Sequence, residues 1–194
     1  KNCGIDMTEC SLIEENGRAH FLTKRFDREN GRKIHMQTLC GMAHYDFRLK
    51  NGHSYEQAFK VMRRLRLPYS QAQEMFRRIV FNVVVRNQDD HTKNISFLMD
   101  SSGQWSLSPA YDMGFAYNPL GAWTATHQMS INGKFDNITK ADLLSLANAN
   151  NIKNASEIID QVCETTAGWP ELAKNCGVPQ KMIDGIVPHM LLSI

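Results

Sequence analysis

An aspartate and an asparagine five residues apart are the residues of this sequence best suited to chemistry. They are Asp89 and Asn94, in the polar segment 87–94, Asn-Gln-Asp-Asp-His-Thr-Lys-Asn. An aspartate can accept the proton of an attacking hydroxyl group, and an asparagine offers a hard oxygen ligand to Mg²⁺. The spacing is typical of a catalytic loop for phosphoryl transfer. Such a loop must be irregular, so that both side chains can point into one cleft.

A second carboxylate, Asp112, follows eighteen residues after Asn94. It lies in the segment 108–114, whose last residues, Asp-Met-Gly, resemble an Asp-Phe-Gly element. A carboxylate there can bind the Mg²⁺ ions that neutralise the β and γ phosphates. The Asp-x-x-x-x-Asn spacing alone arises by chance in many chains, but its pairing with a second Asp-x-Gly is much more specific. We expect Asn94 and Asp112 to share the metal, and Asp89 to face the acceptor hydroxyl.

Two other residues of the segment 87–94 have more than one possible role. His91 either holds the loop in shape or contacts a nucleotide. Lys93 is either a surface lysine or a partner of the γ phosphate and its developing negative charge. Segment 87–94 as a whole could also be a solvated loop that ends a buried helix. The other histidines have no metal-ligand spacing and are assigned no chemistry.

The elements that position these residues begin with a predicted β-hairpin over residues 7–25. Two apolar-rich runs, 7–13 and 19–23, flank Asn16-Gly17, a dipeptide that favours a type I′ turn. A helix is predicted next, ending at Asn51-Gly52, from the helical spacing of five residues: Met36, Leu39, Cys40, Ala43 and Phe47.

Two further helices are predicted from capping-box patterns, Ser54 with Gln57 and Ser70 with Gln73. The second should be the central helix, because its apolar stripe is wide. The stripe consists of Ala72, Met75, Phe76, Ile79, Val80, Val83 and Val84.

Short strands and helices are predicted for the rest of the chain. Strands at 95–99 and 105–107 are joined by a turn at 101–103, beside the polar segment. Three helical stretches follow, at 139–149, 154–166 and 178–193, with breaks at Gly168-Trp169-Pro170 and at Gly177 before Pro179, and a kink at Pro188.

The composition narrows the class of protein. A length of 194 residues and a hydrophobic content of 42% predict one substantial globular domain. The net charge of +2 gives no indication of a direct nucleic-acid or membrane partner. No apolar run approaches the roughly 20 residues that span a bilayer. The five cysteines include no Cys-x-x-Cys pair, which favours reduced thiols in the cytoplasm.

Several segments resemble signature segments of the HipA serine/threonine kinases, the toxins of HipA/HipB-type modules. They are 25–28 (Arg-Phe-Asp-Arg), 89–94 and 108–112, and the segment 129–134 (Met-Ser-Ile-Asn-Gly-Lys) is similar to a further family segment. The resemblance implies an α+β, protein-kinase-like fold with a mainly helical C-lobe and a short catalytic β-hairpin. Residues 1–28 would be the end of an N-lobe sheet and the hinge, and residues 29–194 the C-lobe.

The same resemblance implies roles for individual residues. Asp89 would be the catalytic base, and Asn94 and Asp112 the metal ligands. The ATP-magnesium site would be lined by His91, Thr92, Lys93, Asn94, Tyr111 and Asp112, and the hinge against the adenine would be formed by Lys24, Arg25 and Phe26.

The implied reaction is transfer of the ATP γ-phosphoryl group to a serine or threonine hydroxyl of a cellular protein. An aminoacyl-tRNA synthetase is a candidate target. The implied biology is a cytoplasmic toxin that arrests growth and is restrained by a HipB-like DNA-binding antitoxin.

The sequence also departs from the family. Asp90 stands where a glycine is common, and its carboxylate could raise a neighbouring pKa or bind metal. Nothing matches the phosphate-binding loop or the strand lysine, which belong upstream of Lys1. We therefore expect an incomplete nucleotide site, completed by a preceding part of the same protein or by a separate chain.

Two other functions stay open. A degenerate kinase-fold module that binds an antitoxin or a nucleotide without catalysis is favoured by the missing upstream lysine. A metal-dependent phosphohydrolase built on Asp89, Asp90 and His91 would need further His or Asp ligands at motif spacing, and the sequence has none.

Overall fold

The computed structural model describes residues 1–194 and has an α+β fold, as expected. The strands are β1 (Cys10–Glu15), β2 (Arg18–Thr23), β3 (Arg28–Glu29), β4 (Arg32–Lys33), β5 (His35–Thr38), β6 (His53–Ser54), β7 (Ser96–Met99), β8 (Trp105–Leu107) and β9 (Met129–Ser130). The helices are α1 (Leu39–Ala43), α2 (Tyr55–Arg64), α3 (Tyr69–Val84), α4 (Lys140–Ala149), α5 (Ala155–Ala167), α6 (Trp169–Asn175) and α7 (Gln180–Ile186).

The predicted N-terminal hairpin is confirmed. Strands β1 and β2 pair in antiparallel register, with Cys10 opposite Thr23 and Glu15 opposite Arg18. Asn16 and Gly17 have φ angles of 51° and 73°, the left-handed conformation that a type I′ turn requires at both positions. All residues of both strands are exposed to solvent.

The helix predicted from the spacing of Met36 to Phe47 is wrong in its first half. Residues His35–Thr38 form β5, which pairs antiparallel with β7, and only Leu39–Ala43 are helical. The Thr38 side chain accepts a hydrogen bond from the Gly41 N–H and so begins the helix at Leu39. His44 ends it with a left-handed φ of 56°. Pairing with the distant strand β7 therefore decides the conformation of residues 35–38, against their local helical pattern.

Helices α2 and α3 are confirmed, although only one capping box is present. Ser54 and Gln57 form the predicted box at the start of α2. Helix α3 begins at Tyr69 behind Pro68 and has no side-chain cap, so the predicted cap at Ser70 is wrong. The fixed φ of a proline suits the entry to a helix, and it places Ser70 inside the first turn.

Helix α3 is the central helix, as predicted. Its buried apolar residues are Met75, Phe76, Ile79, Val80, Val83 and Val84. They belong to one hydrophobic core of 29 residues, in which α3 packs against α5. Burial of each such side chain contributes about 1.5–3 kcal/mol, so this helix is a rigid base for the loop that follows it.

The hairpin after that loop is also confirmed. Strands β7 and β8 pair antiparallel, and β5 adds a third strand on the other side of β7. The Asp100 carboxylate accepts hydrogen bonds from the backbone N–H groups of Ser102 and Gln104 and so holds the turn. The polar segment 87–94 is thereby fixed between α3 and a three-stranded sheet.

The C-terminal region has four helices where three helical stretches are predicted. The predicted break is confirmed at Gly168, between α5 and α6, but Trp169 and Pro170 belong to α6, with Pro170 in the first turn, where a missing N–H costs little. The last predicted helix, 178–193, is shorter, because α7 ends at Ile186 and Val187–His189 form a 3₁₀ turn around Pro188. None of the helices is long and apolar enough to cross a membrane.

The residues before the first hairpin belong to the main core. Cys3 and Ile5 are buried among the residues of that core. The Asp6 carbonyl accepts a hydrogen bond from the Ala110 N–H, just before Asp112. The N-terminal residues therefore help to fix the segment that carries the second candidate carboxylate.

Candidate active site

The candidate base, Asp89, lies on the polar loop directly after α3. Its side chain is about half exposed, at 48%, and its Oδ1 is 3.9 Å from Nε2 of His91. The backbone carbonyl of Asp89 accepts a hydrogen bond of 2.9 Å from Nδ2 of Asn94. This bond closes the loop on itself and leaves the Asp89 carboxylate facing solvent.

The two candidate metal ligands line one small cavity. Asn94 and Asp112 face a space of about 20 Å³, together with residues of α3. The Asn94 amide uses its N–H to hold the loop, and its Oδ1 accepts no hydrogen bond within the chain. The Asp112 carboxylate has no ion pair or hydrogen bond either, and Asp112 has a left-handed φ of 55°. Such a backbone conformation costs an aspartate about 1 kcal/mol and is common at functional sites.

Asp90 has a different role from its exposed neighbour Asp89. It is almost completely buried and accepts three hydrogen bonds, which occupy both carboxylate oxygens. Oδ2 accepts from the Tyr55 hydroxyl at 2.7 Å and from Nδ1 of His127 at 2.9 Å, and Oδ1 accepts from the Gln128 N–H at 2.7 Å. With its oxygens occupied, Asp90 holds the loop, and although it lines the small cavity it offers no free carboxylate oxygen there.

A chain of buried hydrogen bonds continues from Asp90 to the Asp112 segment. The Tyr55 hydroxyl also accepts from Asn82 at 3.0 Å, and Asn82 Oδ1 accepts from Asn87 at 2.9 Å. Asn87 in turn donates to the Asp112 carbonyl at 3.4 Å. Burial raises the pKa of Tyr55 well above its ordinary value, and the charge of Asp90 adds to the effect. Tyr55 therefore stays protonated and continues to donate to Asp90.

Three neighbours of Asp89 contact the segment 45–47 after α1. The buried Thr92 hydroxyl donates to the Tyr45 carbonyl at 3.1 Å. The Phe47 ring meets His91 edge to face at 5.7 Å and lies 3.6 Å from the Lys93 ammonium nitrogen. Nδ1 of His91 is buried and has no hydrogen-bond partner. In this structure Thr92 is thus used to hold the loop, and Lys93 rests on an aromatic face.

The predicted hinge meets the Asp112 segment through one aromatic pair. Phe26 and Tyr111 have ring centroids 5.6 Å apart. The Tyr111 hydroxyl hydrogen-bonds with Ser96 and donates to the Lys93 carbonyl at 2.6 Å. Burial raises the pKa of Tyr111, and the charge of Asp112 adds to this.

The two charged hinge residues lie apart from the loop. Arg25 forms two hydrogen bonds with Asp27, at 2.8 and 2.6 Å, which lower the pKa of Asp27. Lys24 is exposed and lies 4.0 Å from Glu9. Of the three predicted hinge residues, Phe26 is thus the one in contact with a residue next to the candidate metal ligands.

Sequence reasoning missed two polar residues of the central helix. Arg78 and Asn82 are buried and line the same small cavity as Asn94 and Asp112. Arg78 is paired with Glu74 at 2.7 Å, which compensates its buried charge. A polar pair at i and i+4 along the edge of the apolar stripe was the available signal for both residues.

The segment 129–134 supports the fold and has no direct contact with the loop carboxylate Asp89. Asn132 and Lys134 bind opposite oxygens of Asp142, at 3.0 and 2.8 Å. Asp142 also forms the capping box with Thr139 at the start of α4. Burial acts to raise the pKa of Asp142, but the hydrogen bonds from Lys134, Thr139 and Asn132 outweigh it and hold the pKa far below its ordinary value.

The oxygen atoms of the small cavity fit Mg²⁺. Asn94 and Asp112 offer an amide oxygen and a carboxylate without internal partners, and Mg²⁺ is usually held by one or two protein oxygens together with phosphates and water. No group of three or more His, Cys, Asp or Glu side chains is placed to hold a metal alone. The arrangement suits a metal that arrives with a phosphate ligand.

Comparisons with known proteins agree with one family. The model of the HipA-like C-terminal domain matches residues 1–169. The chain is 30% identical over 128 residues to "Putative kinase" from Haemophilus influenzae, which covers 58% of this chain and 37% of that protein. It is 27% identical over 207 residues to "Putative kinase Y4dM" from Sinorhizobium fredii, and this alignment covers 96% of this chain and 49% of that protein. The chain therefore spans less than half the length of these relatives.

Solved structures include one with a similar fold. It is HipA in the complex of HipA, HipB and operator DNA from the toxin-antitoxin system of Shewanella oneidensis MR-1. The TM-score is 0.68 and the identity 20%, over 87% of this chain and 44% of that chain. At this identity the similarity shows a common fold.

Proposed function

The chain belongs to the family of HipA-like C-terminal domains, and on that basis we propose that it is the catalytic part of an ATP- and Mg²⁺-dependent serine/threonine protein kinase. One observation carries the proposal. The loop after α3 and the segment after β8 bring Asn94 and Asp112 to one cavity, and the same loop presents the half-exposed Asp89 carboxylate to another. A phosphoryl-transfer enzyme needs such an arrangement, with metal ligands on the donor side and a base on the acceptor side.

In the proposed reaction, Asp89 accepts the proton of the acceptor hydroxyl. The hydroxyl oxygen forms a bond to the γ phosphorus, and the bond from that phosphorus to the bridging oxygen breaks, with its electron pair leaving on ADP. The exposure of Asp89 favours this role, because its carboxylate is open to an incoming hydroxyl and is not engaged in an ion pair of ordinary length. The hydrogen bond from Asn94 to the Asp89 carbonyl fixes the base relative to the metal side.

The proposed metal site consists of Asn94 and Asp112. Mg²⁺ bound there would neutralise the negative charge of the phosphate oxygens during transfer. The left-handed conformation of Asp112 and the hydrogen bond between its carbonyl and Asn87 keep its carboxylate at the cavity. Both residues are therefore held in place before a ligand binds, which is how electrostatic stabilisation is most effective.

The proposed nucleotide contacts are those implied by the family. Phe26 and Tyr111 form an aromatic pair that can pack against an adenine ring. Lys93 now rests on Phe47, and its long side chain can turn toward a phosphate. The remaining contacts, including those of His91, Thr92, Lys24 and Arg25, are part of the same proposal.

The proposal extends to a kinase-like two-lobed fold and to a partner. The similar HipA chain was solved with HipB and operator DNA, which supports a HipB-like DNA-binding antitoxin as the partner of this protein. We propose that the kinase acts as a toxin on a cellular protein, in the manner of that family.

The deciding experiment is a phosphotransfer assay on the protein in its full encoded length. Labelled ATP, Mg²⁺ and a cell lysate are supplied to the wild type and to Asp89→Ala and Asp112→Ala. Each variant should lose at least about 100-fold in labelling, the scale of an essential acid–base or charge-stabilising group. Asp136→Ala is the matched control, because Asp136 is exposed and has no hydrogen bond or ion pair.

The alternative is a kinase-fold module that binds without catalysis, and one observation favours it. Lys93 contacts Phe47 and leaves the small cavity without a free cation, since Arg78 is paired with Glu74. Under this alternative the wild type binds ATP or an antitoxin and labels nothing, and Asp89→Ala binds both as well as the wild type does.

A further inference from the structure

A second cavity, of about 490 Å³, opens beside Asp89 and is separate from the cavity of Asn94 and Asp112. Its walls include Asp89, Phe47, Arg48 and the segment 121–124 with Trp123. We propose that this space, the acceptor cavity, binds the acceptor segment of the protein substrate and selects a segment with an acidic side chain close to the hydroxyl. The inference rests on the proposed kinase function and adds the substrate class to it.

The position of the acceptor cavity follows from the two faces of the loop. Asp89 lines the acceptor cavity but not the small one, and Asn94 and Asp112 line the small cavity but not the acceptor cavity. His91 lines both. In phosphoryl transfer the attacking and leaving oxygens lie roughly in line, on opposite sides of the phosphorus. If the nucleotide phosphates enter from the side of Asn94, the hydroxyl must enter from the side of Asp89.

The size and lining of the acceptor cavity suit a short peptide segment. Its volume lies within the range of about 300–1,000 Å³ that is usual for ligand sites. The Trp123 side chain is exposed at 49%, and Phe47 also lines the cavity. Half-exposed aromatic side chains of this kind commonly provide most of the binding energy at a protein interface.

The charges around the acceptor cavity favour an acidic segment. Arg48 lies in the wall, Lys50 donates to the Ala122 carbonyl at 2.9 Å, and Lys93 lies against Phe47. The nearby carboxylates are Asp46, paired with Arg48 at 3.1 Å, and the proposed base Asp89. The ammonium groups of Lys50 and Lys93 have no carboxylate partner. An acidic side chain near the hydroxyl can therefore pair with these cations.

The wall formed by the segment 121–124 is fixed before any substrate binds. Asn118 and Thr124 close a turn by a backbone hydrogen bond of 3.1 Å, and a Cβ on Gly121 would lie 2.7 Å from the Thr124 hydroxyl. Gln128 donates its side-chain amide to the Trp123 carbonyl and its backbone N–H to Asp90. The wall with Trp123 and the loop with Asp89 are thus tied through Asp90, so the width of the cavity is set by the fold.

The test compares two synthetic peptides of equal length, each with one serine, flanked by glutamates in one and by lysines in the other. The protein is used in its full encoded length with Mg²⁺ and ATP, and kcat/KM is measured for each peptide. The wild type should prefer the acidic peptide by about tenfold, the effect of one well-placed ion pair. Arg48→Glu should reverse the preference, whereas Arg64→Glu, an exposed charge reversal on α2, should leave it unchanged.

The aromatic wall is tested separately. Trp123→Ala should raise the KM for the acidic peptide at least about fivefold and leave the KM for ATP unchanged, because a truncated interface tryptophan loses binding energy at that contact alone. Trp123→Phe should restore most of the affinity. Leu144→Ala, which truncates an exposed apolar residue of α4, is the control.

Each outcome decides the inference. Equal kcat/KM values for both peptides, together with wild-type behaviour of Arg48→Glu and Trp123→Ala, would place the acceptor elsewhere. If the wild type labels lysate proteins but neither peptide, the same variants are scored on the lysate, where unchanged labelling overturns the inference and reduced labelling supports it. Absence of any labelling by the wild type is a failure of the proposed kinase function itself.

Discussion

Nδ1 of His127 lies 2.9 Å from Oδ2 of Asp90, although the two residues are 37 positions apart in the sequence. Both side chains are almost completely buried. This contact fixes the residue next to the proposed base from outside the loop. Because the peptide bond between Asp89 and Asp90 transmits that restraint, the position of Asp89 depends on a segment that follows the Asp-Met-Gly element.

Removal of the Tyr55 hydroxyl tests whether this buried network positions the base. Tyr55→Phe deletes one hydrogen bond to Asp90 and leaves Asn82 without an acceptor, so the free energy of unfolding should fall by about 1–3 kcal/mol. The kcat for phosphotransfer should fall several-fold, while the KM for ATP stays near the wild-type value. Urea unfolding and steady-state kinetics measure the two effects.

Tyr69→Phe provides the matched control for Tyr55→Phe, because the exposed Tyr69 hydroxyl accepts one hydrogen bond, from the Lys153 N–H. It should change neither stability nor kcat appreciably. Loss of stability in Tyr55→Phe with an unchanged kcat would show that the network supports the fold without positioning Asp89.

Asp112→Asn tests the proposed metal ligand without disturbing the backbone. Asparagine tolerates the left-handed φ of 55° at this position, so the fold should be retained. The loss of the negative charge should lower phosphotransfer by at least about 100-fold at a fixed Mg²⁺ concentration. A titration of activity against Mg²⁺ should show a higher Mg²⁺ requirement for any remaining activity; a titration identical to that of the wild type would remove Asp112 from the metal site.

Thr92→Val separates two possible roles of Thr92. The hydroxyl donates to the Tyr45 carbonyl, so its removal should lower the free energy of unfolding by about 1 kcal/mol and leave the KM for ATP unchanged. Thr92→Ser, which keeps the hydroxyl, serves as the control. A raised KM for ATP at unchanged stability would instead assign Thr92 to the nucleotide, as the family resemblance implies.

Asp142 makes the free energy of unfolding depend on pH. Its pKa in the folded state is far below the value of about 3.9 expected in the unfolded chain. Its stabilising effect is therefore complete above pH 4 and is lost as the pH falls below that value toward the folded-state pKa. Asp142→Asn should destabilise the protein by about 1 kcal/mol at pH 7, and the difference from the wild type should shrink at pH 3.

Thermal unfolding at both pH values checks the Asp142 prediction. Asp136→Asn is a suitable control, since Asp136 is exposed and lies in the loop before α4, six residues from Asp142. A difference between wild type and Asp142→Asn that stays constant from pH 7 to pH 3 would contradict the assigned role of the carboxylate charge.

Local sequence patterns correctly predicted the turns and helix starts that depend on neighbouring residues. Asn16-Gly17 predicted the first hairpin and Ser54 with Gln57 the start of α2, because turn and cap chemistry acts within a few residues. The strand β5 was missed, because its reason is pairing with β7, about sixty residues later. Local patterns cannot report such a partner.

The candidate site shows the same contrast between local patterns and contacts between distant segments. Residue type and spacing were enough to select Asp89, Asn94 and Asp112, of which the last two line one cavity. No local pattern pairs His127 with Asp90 or brings Arg78 to the cavity of Asp112, because these placements depend on packing between distant segments. The residues that support the loop were therefore harder to predict than the candidate residues on it, whose roles stay predictions.

The exposed N-terminal hairpin affects how this protein must be handled. Leu12, Ile13, Phe21 and Leu22 are each at least half accessible, on a two-stranded ribbon whose outer edges are unpaired. Apolar ribbons with free edges favour association between molecules. Light scattering across a dilution series should therefore precede any kinetic work with these 194 residues, because clustering would lower the concentration of active protein and imitate a catalytic defect.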